Sequence, residues 1–339
     1  MSNEVCNAPR FSIIIPVYNA AKYIGKCLDS IRNQTNRDFE IVLVNDGSTD
    51  ESLSVVENFK NDNQELNVNI YSHTNHGAGY TRNRGIDESR GDYLVFIDSD
   101  DYVEPDYLQS VSDVLDKEDS DVVFIDIVRE REDGSVIAYE RMSDYHSLSK
   151  DRMIRQQLTG KMPWGGCRKI VRGSIVRYDN IRYGTIKTGE ESIFSFRVLE
   201  KAEKMSFIND VVYHYVDASN SLTSSDKITN PISVFCYIYD YFSENSLLEE
   251  YGETINSLAV TTVAIVTNIL AQQEKFFFAV KKAKEIRREY TSFLSGRVDK
   301  DSLEKRVAIC LPWIKMGVLV PIALASRLQR TYKRLGGKK

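Results

Sequence analysis

The segment Tyr93-Leu94-Val95-Phe96-Ile97-Asp98-Ser99-Asp100-Asp101 sets three carboxylates within four positions, directly after five apolar or aromatic residues. The apolar run is long enough for a buried strand, which puts the carboxylates at its C-terminal end. In open α/β sheets that edge is where ligands bind. Carboxylates this close repel one another, and a hard divalent cation relieves the repulsion while also binding phosphate oxygens. The chemistry suggested is metal-assisted handling of a phosphorylated ligand. An EF-hand loop does not fit, because Tyr102 takes the next alternate position and no glycine follows on schedule.

Three clusters upstream add to this. Pro16-Val17-Tyr18-Asn19 ends another apolar run. An aromatic at that edge could stack on a nucleobase, or Tyr18 could pack as core. In Asn45-Asp46-Gly47-Ser48-Thr49-Asp50 a strand-end carboxylate could accept a hydrogen bond from a base imide, with Gly47 allowing close approach. The plainer alternative is an Asx turn in which Ser48 or Thr49 caps the next helix. Asn75-His76-Gly77-Ala78-Gly79, continuing through Arg82-Asn83 to Gly85, supplies glycines for tight packing and a guanidinium fork suited to phosphate or base oxygens. Its glycine spacing is not that of a dinucleotide fingerprint, and the chain has no P-loop motif.

These clusters need elements to hold them at one edge. Strands are expected at 11–17, 39–44, 68–71 and 93–97. Ile24, Leu28 and Ile31, with Cys27 on the same face, mark a helix after the first strand, and Leu53, Val56 and Phe59 mark one after the second. Strands alternating with helices imply a mostly parallel sheet. Further strands are expected at 122–128 and 208–215, and long helical segments at 254–271 and 275–294. The expected division is residues 1–225 as an α/β domain, with a nucleotide-binding half at 10–101 and an acceptor half at 102–225, and 226–339 as a helical C-terminal region.

The 339 residues are 42% hydrophobic and 27% charged, as in an ordinary globular protein. Five scattered cysteines without a CxxC pair argue against a disulfide framework or zinc site and for a reducing compartment. The start of the chain lacks the basic and apolar regions of a secretory signal, so a cytoplasmic location is expected. No acidic residue follows Glu304, whereas nine Lys or Arg do, so residues 1–304 carry a net charge of -14 within a chain total of -5. A mainly acidic body does not suit nucleic-acid binding, which rests on phosphate neutralisation.

Taken in order, PVYN, NDGSTD, NHGAGYTRNRG and DSDD resemble the family 2 glycosyltransferases of the GT-A fold, closely over residues 11–101 and more weakly to about residue 223. The resemblance implies a nucleotide-sugar site for a UDP-sugar donor and a bound Mn²⁺ or Mg²⁺. It places Pro16, Tyr18, Asn19, Asp46, Gly77, Arg82, Asp98 and Ser99 on the donor, with Tyr18 stacked on uracil and Asp46 on its imide. Asp100 holds the metal, with Asp98 beside it, and Asp101 is expected to be a solvated neighbour. Asn45 stands where the family commonly has aspartate, and Thr81 where alanine is usual. Thr188-Gly189-Glu190-Glu191-Ser192-Ile193-Phe194 resembles the family's G-E-D-x-x-F segment, which makes Glu191 the catalytic base and Glu190 its partner. Trp164 falls in a segment resembling the family's acceptor side, where it stacks on a sugar or sits in the core. His214, in Tyr213-His214-Tyr215 before Ser221-Leu222-Thr223, reaches the diphosphate or is structural.

The expected activity is therefore inverting, metal-dependent transfer to a glycan or lipid-linked acceptor hydroxyl in surface polysaccharide synthesis. The alternatives are transfer to a polyprenyl phosphate, and nucleotide-sugar binding without catalysis. Residues 307–325 are strongly apolar but interrupted by Pro312, Lys315 and Pro321, which argues against a membrane span. With Arg327, Arg330, Lys333, Arg334, Lys338 and Lys339 following, the pattern suits peripheral binding to the inner face of the cell membrane. A helix packed in a core or a homodimer interface is the alternative.

Overall fold

The computed structural model describes residues 8–217 and 229–334, which form two compact units. Residues 8–148 with 163–217 make the first, and 149–162 with 229–334 the second. In chain order the elements begin β1 (Phe11–Val17), α1 (Ile24–Arg32), β2 (Phe39–Asp46), α2 (Ser52–Asp62), β3 (Val68–His73), α3 (Ala78–Glu88) and β4 (Tyr93–Phe96). They continue with β5 (Tyr102–Val103), α4 (Tyr107–Glu118), β6 (Val122–Arg131), β7 (Val136–Glu140), α5 (Lys150–Leu158), β8 (Lys169–Arg172), α6 (Gly173–Tyr178), α7 (Glu191–Lys201) and β9 (Met205–Asp217). The C-terminal helices are α8 (Thr229–Glu244), α9 (Leu248–Gln273), α10 (Phe276–Glu289), α11 (Thr291–Ser295), α12 (Lys305–Met316) and α13 (Val320–Arg334).

The first unit is built on one sheet in the order β3-β2-β1-β4-β8-β6-β9-β5, with β7 added beside β6. β1 to β4 are parallel to their neighbours within that group; the near-continuous apolar sequences of β1, β2 and β4 follow from burial on both faces, whereas β3, at the sheet edge, is mostly half-buried. Register brings the chemistry together. Val17 lies opposite Asn45, and Ile14 lies opposite Phe96, so β1, β2 and β4 end at one edge. Tyr18, Asp46 and Asp98 are the residues at those ends. The remaining pairings are antiparallel except for β6 with β9, which run parallel.

Helix α3 closes on the segment before α7 with little room. A Cβ on Gly79 would stand 2.1 Å from the Gly184 carbonyl oxygen. Nearby, the Asn83 side chain donates to the Tyr183 carbonyl at 3.0 Å and accepts from the Tyr183 amide at 2.8 Å. Two hydrogen bonds from one side-chain amide thus fix the start of the 183–190 loop on helix α3.

The second unit is helical, with α9 as its core. By length and composition α9 could cross a membrane, but most of its apolar stretch is covered within the unit, as in a soluble core helix. Its buried hydroxyls are satisfied internally: Thr261, Thr262 and Thr267 donate to the carbonyls four residues back at 3.0, 2.9 and 2.7 Å. Segment 149–162 belongs here: the Arg155 guanidinium donates to Thr254 Oγ1 at 3.0 Å and to the Glu250 carbonyl at 3.3 Å.

Gly79→Ala is expected to destabilise the protein by about 2–3 kcal/mol, because backbone rather than a movable side chain meets the new methyl. Gly25, inside α1, has open space where a methyl would point and serves as the control. Gly25→Ala is expected to stabilise by about 0.5–1 kcal/mol through helix propensity. Urea midpoints of the two variants, moving in opposite directions from wild type, check the account.

Candidate active site

The donor-side loops are laced together by side chains that sequence reading assigned elsewhere. The Asn19 amide donates to Ser48 Oγ at 3.1 Å, and the Thr49 amide donates to Asn19 Oδ1 at 2.8 Å. The Ala20 amide reaches Ser52 Oγ at 2.7 Å, and Ala21 reaches Asp50 Oδ2 at 3.1 Å. Ser48 and Thr49 are therefore not the cap of α2, which starts after Glu51 without a side-chain cap. They tie the turn after β1 to the loop after β2. Asn19 adopts a left-handed φ of 47° within this lacing, and Tyr18 is left 41% exposed at the edge rather than packed as core. Pro16 and Ser99 are half-buried.

Asp46 is buried, and both of its oxygens already accept backbone N–H groups, from His76 at 2.7 Å and Gly77 at 3.0 Å. Gly77 takes a φ of 91° at the start of α3, a conformation that favours glycine. Asp46 thus clamps the Asn75–Gly77 loop, and each oxygen keeps a further lone pair for a ligand.

The carboxylates after β4 have different environments. Asp101 is not a solvated neighbour: it is 1% exposed, and it accepts from the Tyr213 hydroxyl at 2.6 Å and the Val216 amide at 2.8 Å. It is a structural anchor between the β4 end and β9. Asp98 is partly exposed and accepts from Arg82 at 2.8 Å. Asp100 has no side-chain partner among the described residues, and burial, then the charge of Asp98, pushes its carboxyl up to about 6.

This distribution tests the fit of a cation. Asp98, Asp101 and the Cys167 sulfur have ligand atoms within 4.8 Å of one another. That trio does not suit Mg²⁺ or Mn²⁺, since Asp101 is 1% exposed with each oxygen tied to a protein donor, and the third member is a buried thiol that burial keeps protonated rather than a hard oxygen ligand. Asp100 fits better. A half-buried carboxylate without a cationic partner, next to a second carboxylate, is the donor set a hard cation completes.

On the opposite side, α7 starts at Glu191, so Glu190 and Glu191 sit at a helix N-terminus that favours negative charge. The Gly166 amide donates to Glu191 Oε2, which orients that carboxylate. Glu190 accepts from Arg82 at 2.9 Å; burial pushes its carboxyl up and the Arg82 charge pulls back. The loop that supplies Gly166 is held from beneath by Lys169. Its buried ammonium donates to the carbonyls of Trp164 and Gly165 at 2.6 and 3.1 Å and to Ser195 Oγ at 2.9 Å, and burial lowers its pKa to about 8. Trp164 is half-buried, with its carbonyl tied down in this way.

His214 does not belong to the site as a free diphosphate ligand. Its Nε2 faces Glu104 at 2.7 Å, its Nδ1 faces Glu130 at 3.3 Å, and its ring stacks on Tyr102 at 4.2 Å. Both nitrogens are committed, which makes it a structural histidine of the β5–β9 pairing. Ser221-Leu222-Thr223 lies outside the described residues. Sequence reading missed Asn83, Lys169, Asp101 and Tyr183, whose ring stacks on Phe194 at 4.0 Å under Arg82. Asn83, directly after Arg82, and Asp101, at the end of the acidic run, lay inside motifs already singled out, and Asp101 was there expected to be solvated.

The arrangement is a nucleotide-sized edge with an exposed aromatic, a carboxylate pair suited to a cation, and a second acidic pair at a facing helix terminus. Solved structures share the architecture: TarS residues 1–349 from Staphylococcus aureus matches with a TM-score of 0.65 at 21% identity, over 95% of this chain and 91% of that one. A mannosyltransferase from Pyrobaculum calidifontis in complex with GDP-Man and Mn²⁺ matches with a TM-score of 0.53 at 16% identity, over 97% and 88%. The fold is thus that of the GT-A glycosyltransferases.

Sequence comparison narrows this. The profile of Glycosyl transferase family 2 matches residues 12–177. EpsH of Bacillus subtilis, provisionally assigned as a glycosyltransferase, is 31% identical over 260 residues that span 74% of each chain. A poly(ribitol-phosphate) beta-glucosyltransferase of Bacillus spizizenii is 26% identical over 91% of this chain and 48% of its own length. The chain belongs to glycosyltransferase family 2.

A raised carboxyl pKa means that ionised Asp100 weakens the fold without a cation. Taking an unfolded value near 4, that cost is absent at lower pH, grows as pH rises toward about 6, and is complete above it. Asp100→Asn is therefore expected to stabilise the metal-free protein by about 1–3 kcal/mol at pH 7.5. The gain should shrink toward pH 5. Mn²⁺ should raise the melting temperature of wild type and leave that of the variant unchanged, as read by thermal unfolding with and without EDTA.

Proposed function

We propose that this family 2 glycosyltransferase moves a sugar from a UDP-sugar donor to a hydroxyl of a glycan or lipid-linked acceptor, with inversion, in surface polysaccharide synthesis. The observation that carries the reading is the single Arg82 fork that joins Asp98, on the donor side, to Glu190 beside the base. Relatives supply the donor and acceptor classes: TarS has been crystallised with UDP-GlcNAc, and two relatives act on poly(ribitol-phosphate). On this reading the enzyme works in the cytoplasm, at the inner face of the membrane where such acceptors are assembled.

Tyr18, exposed beside β1, offers its ring to the uracil, and Asp46 keeps lone pairs for the imide N–H. Glu191, oriented by the Gly166 amide, removes the proton of the acceptor hydroxyl as that oxygen attacks the anomeric carbon. The C–O bond to the diphosphate breaks on the opposite face, so the configuration inverts and UDP leaves. A divalent cation held by Asp100 with Asp98 would supply neutralisation of the charge on the leaving diphosphate. Arg82 and Glu190 hold the two sides in register and do not exchange protons. Trp164 is placed to cover a sugar face.

A donor screen by UDP release, with and without Mn²⁺, tests the reading. Asp100→Ala is expected to remove metal-stimulated turnover, and Glu191→Gln to lower kcat/KM by about 10²–10⁴-fold. Metal-independent turnover surviving Asp100→Ala would overturn the metal assignment. Full activity of Glu191→Gln would point instead to a phosphate acceptor, which needs no base. A β-linked product from an α-linked donor, read by NMR, checks inversion.

A further inference from the structure

We propose that α12, the link after it and α13 form a surface that docks on an anionic lipid bilayer. The inference deepens the reading of a membrane-side acceptor by naming the surface responsible, and it rests on features of the second unit alone.

In α12 the buried residues are Leu311 and Ile314, and the opposite face carries Ile309, Pro312, Trp313 and Met316 in solvent. Their spacing of three and four makes one apolar stripe. Exposed apolar residues continue through the link as Val318 and Val320 and along α13 as Leu324 and Leu328, while Ile322 and Ala323 turn inward. Leu328 is 63% exposed and Met316 67%. A stretch this long is not the scatter of single apolar residues that ordinary surfaces carry.

The stripe is held firmly rather than left to fray. Arg287 of α10 donates to the carbonyls of Ile314 and Lys315 at the end of α12, and Gly317 closes that helix at a φ of 75°. Arg327 of α13 donates to the Ala271 carbonyl at 2.9 Å and lies over the Phe276 ring at 5.2 Å. The next residues on α10, Phe277 and Phe278, are themselves exposed.

Charge selects the occupant. Lys305, Arg306 and Arg330 are exposed on the same two helices, and no acidic residue follows Glu304. Lys305 and Arg306 occupy the first turn of α12, where the helix dipole disfavours cations, with the N-cap Glu304 as the one carboxylate at that helix end. Lipid phosphates would relieve this conflict. An apolar protein partner would not. The rest of the chain, at -14, is repelled by an anionic surface and favours contact through this face alone. Tryptophan at such a boundary suits the headgroup level.

The test is flotation of the full chain with large unilamellar vesicles of phosphatidylcholine containing about 30% phosphatidylglycerol, against phosphatidylcholine alone. Binding at least tenfold tighter to the anionic vesicles, and lost in 0.5 M salt, is expected. Trp313→Glu with Met316→Glu, and separately Lys305→Glu with Arg306→Glu, should each weaken binding at least tenfold without lowering the melting temperature. In the Trp164→Phe background Trp313 is the only tryptophan, and its emission should shift to the blue on the vesicles. No binding, or equal binding to neutral vesicles, overturns the proposal. A concentration-dependent dimer broken by Trp313→Glu, without vesicle binding, assigns the stripe to a second copy instead. UDP release in vesicle-free solution reads catalysis separately, so failure of the lipid surface and failure of the transferase reading are distinguishable.

Discussion

The Arg82 guanidinium is buried between two carboxylates that come from opposite sides of the active site, Asp98 at 2.8 Å and Glu190 at 2.9 Å. A cation in that position costs desolvation, and its two partners return the cost only if both stay ionised and in line. Burial alone would lower the pKa of Arg82, yet the nearby carboxylates raise it well above its ordinary value. The guanidinium fork suits the task because its two terminal nitrogens diverge in a fixed plane, which lysine could not match. Much of the surrounding sequence serves to keep the fork in place. Gly79 lets α3 approach Gly184, Asn83 pins Tyr183, and the Tyr183 ring lies under the guanidinium.

The same reasoning separates the three carboxylates after β4. They cannot all be ionised, close together and unpartnered. Asp101 is buried with a protein donor on each oxygen, and burial still pushes its carboxyl well above the ordinary range, while Asp98 is paired with Arg82. Asp100 is left buried without a donor and beside the charge of Asp98, which is why its carboxyl rises to about 6. A structure selected for stability alone would place asparagine there. Keeping an aspartate is what makes the position useful to a cation, and this is the trade between fold and function that active sites commonly show.

How much of this the sequence carried depended on the range of the interaction. The strands β1, β2 and β4 were legible because burial on both faces writes a near-continuous apolar run, and their carboxylate or aromatic ends were legible because a polar residue interrupts that run abruptly. Tyr18, Asp46, Asp98 and Asp100 could therefore be named, whereas Arg82 stood out in a glycine-rich segment and Glu190 and Glu191 only through the family resemblance. Their partners could not. Asp101 looks like its neighbours in sequence, and only β9, more than a hundred residues on, shows that its oxygens are filled. His214 stands in a tyrosine-rich strand that suggested a ligand, yet Glu104 and Glu130 reach it from elsewhere in the sheet. Ser48 and Thr49 satisfied the local rule for a helix cap and were claimed by Asn19 instead, because the turn after β1 takes its hydrogen-bond partners from the loop after β2. Gly166 acts through its backbone amide and Lys169 through backbone carbonyls, and neither contact leaves a mark in residue type. Side-chain chemistry at strand ends is thus written locally, whereas the orientation of the Glu191 carboxylate is written in backbone groups that only the closed fold brings within reach.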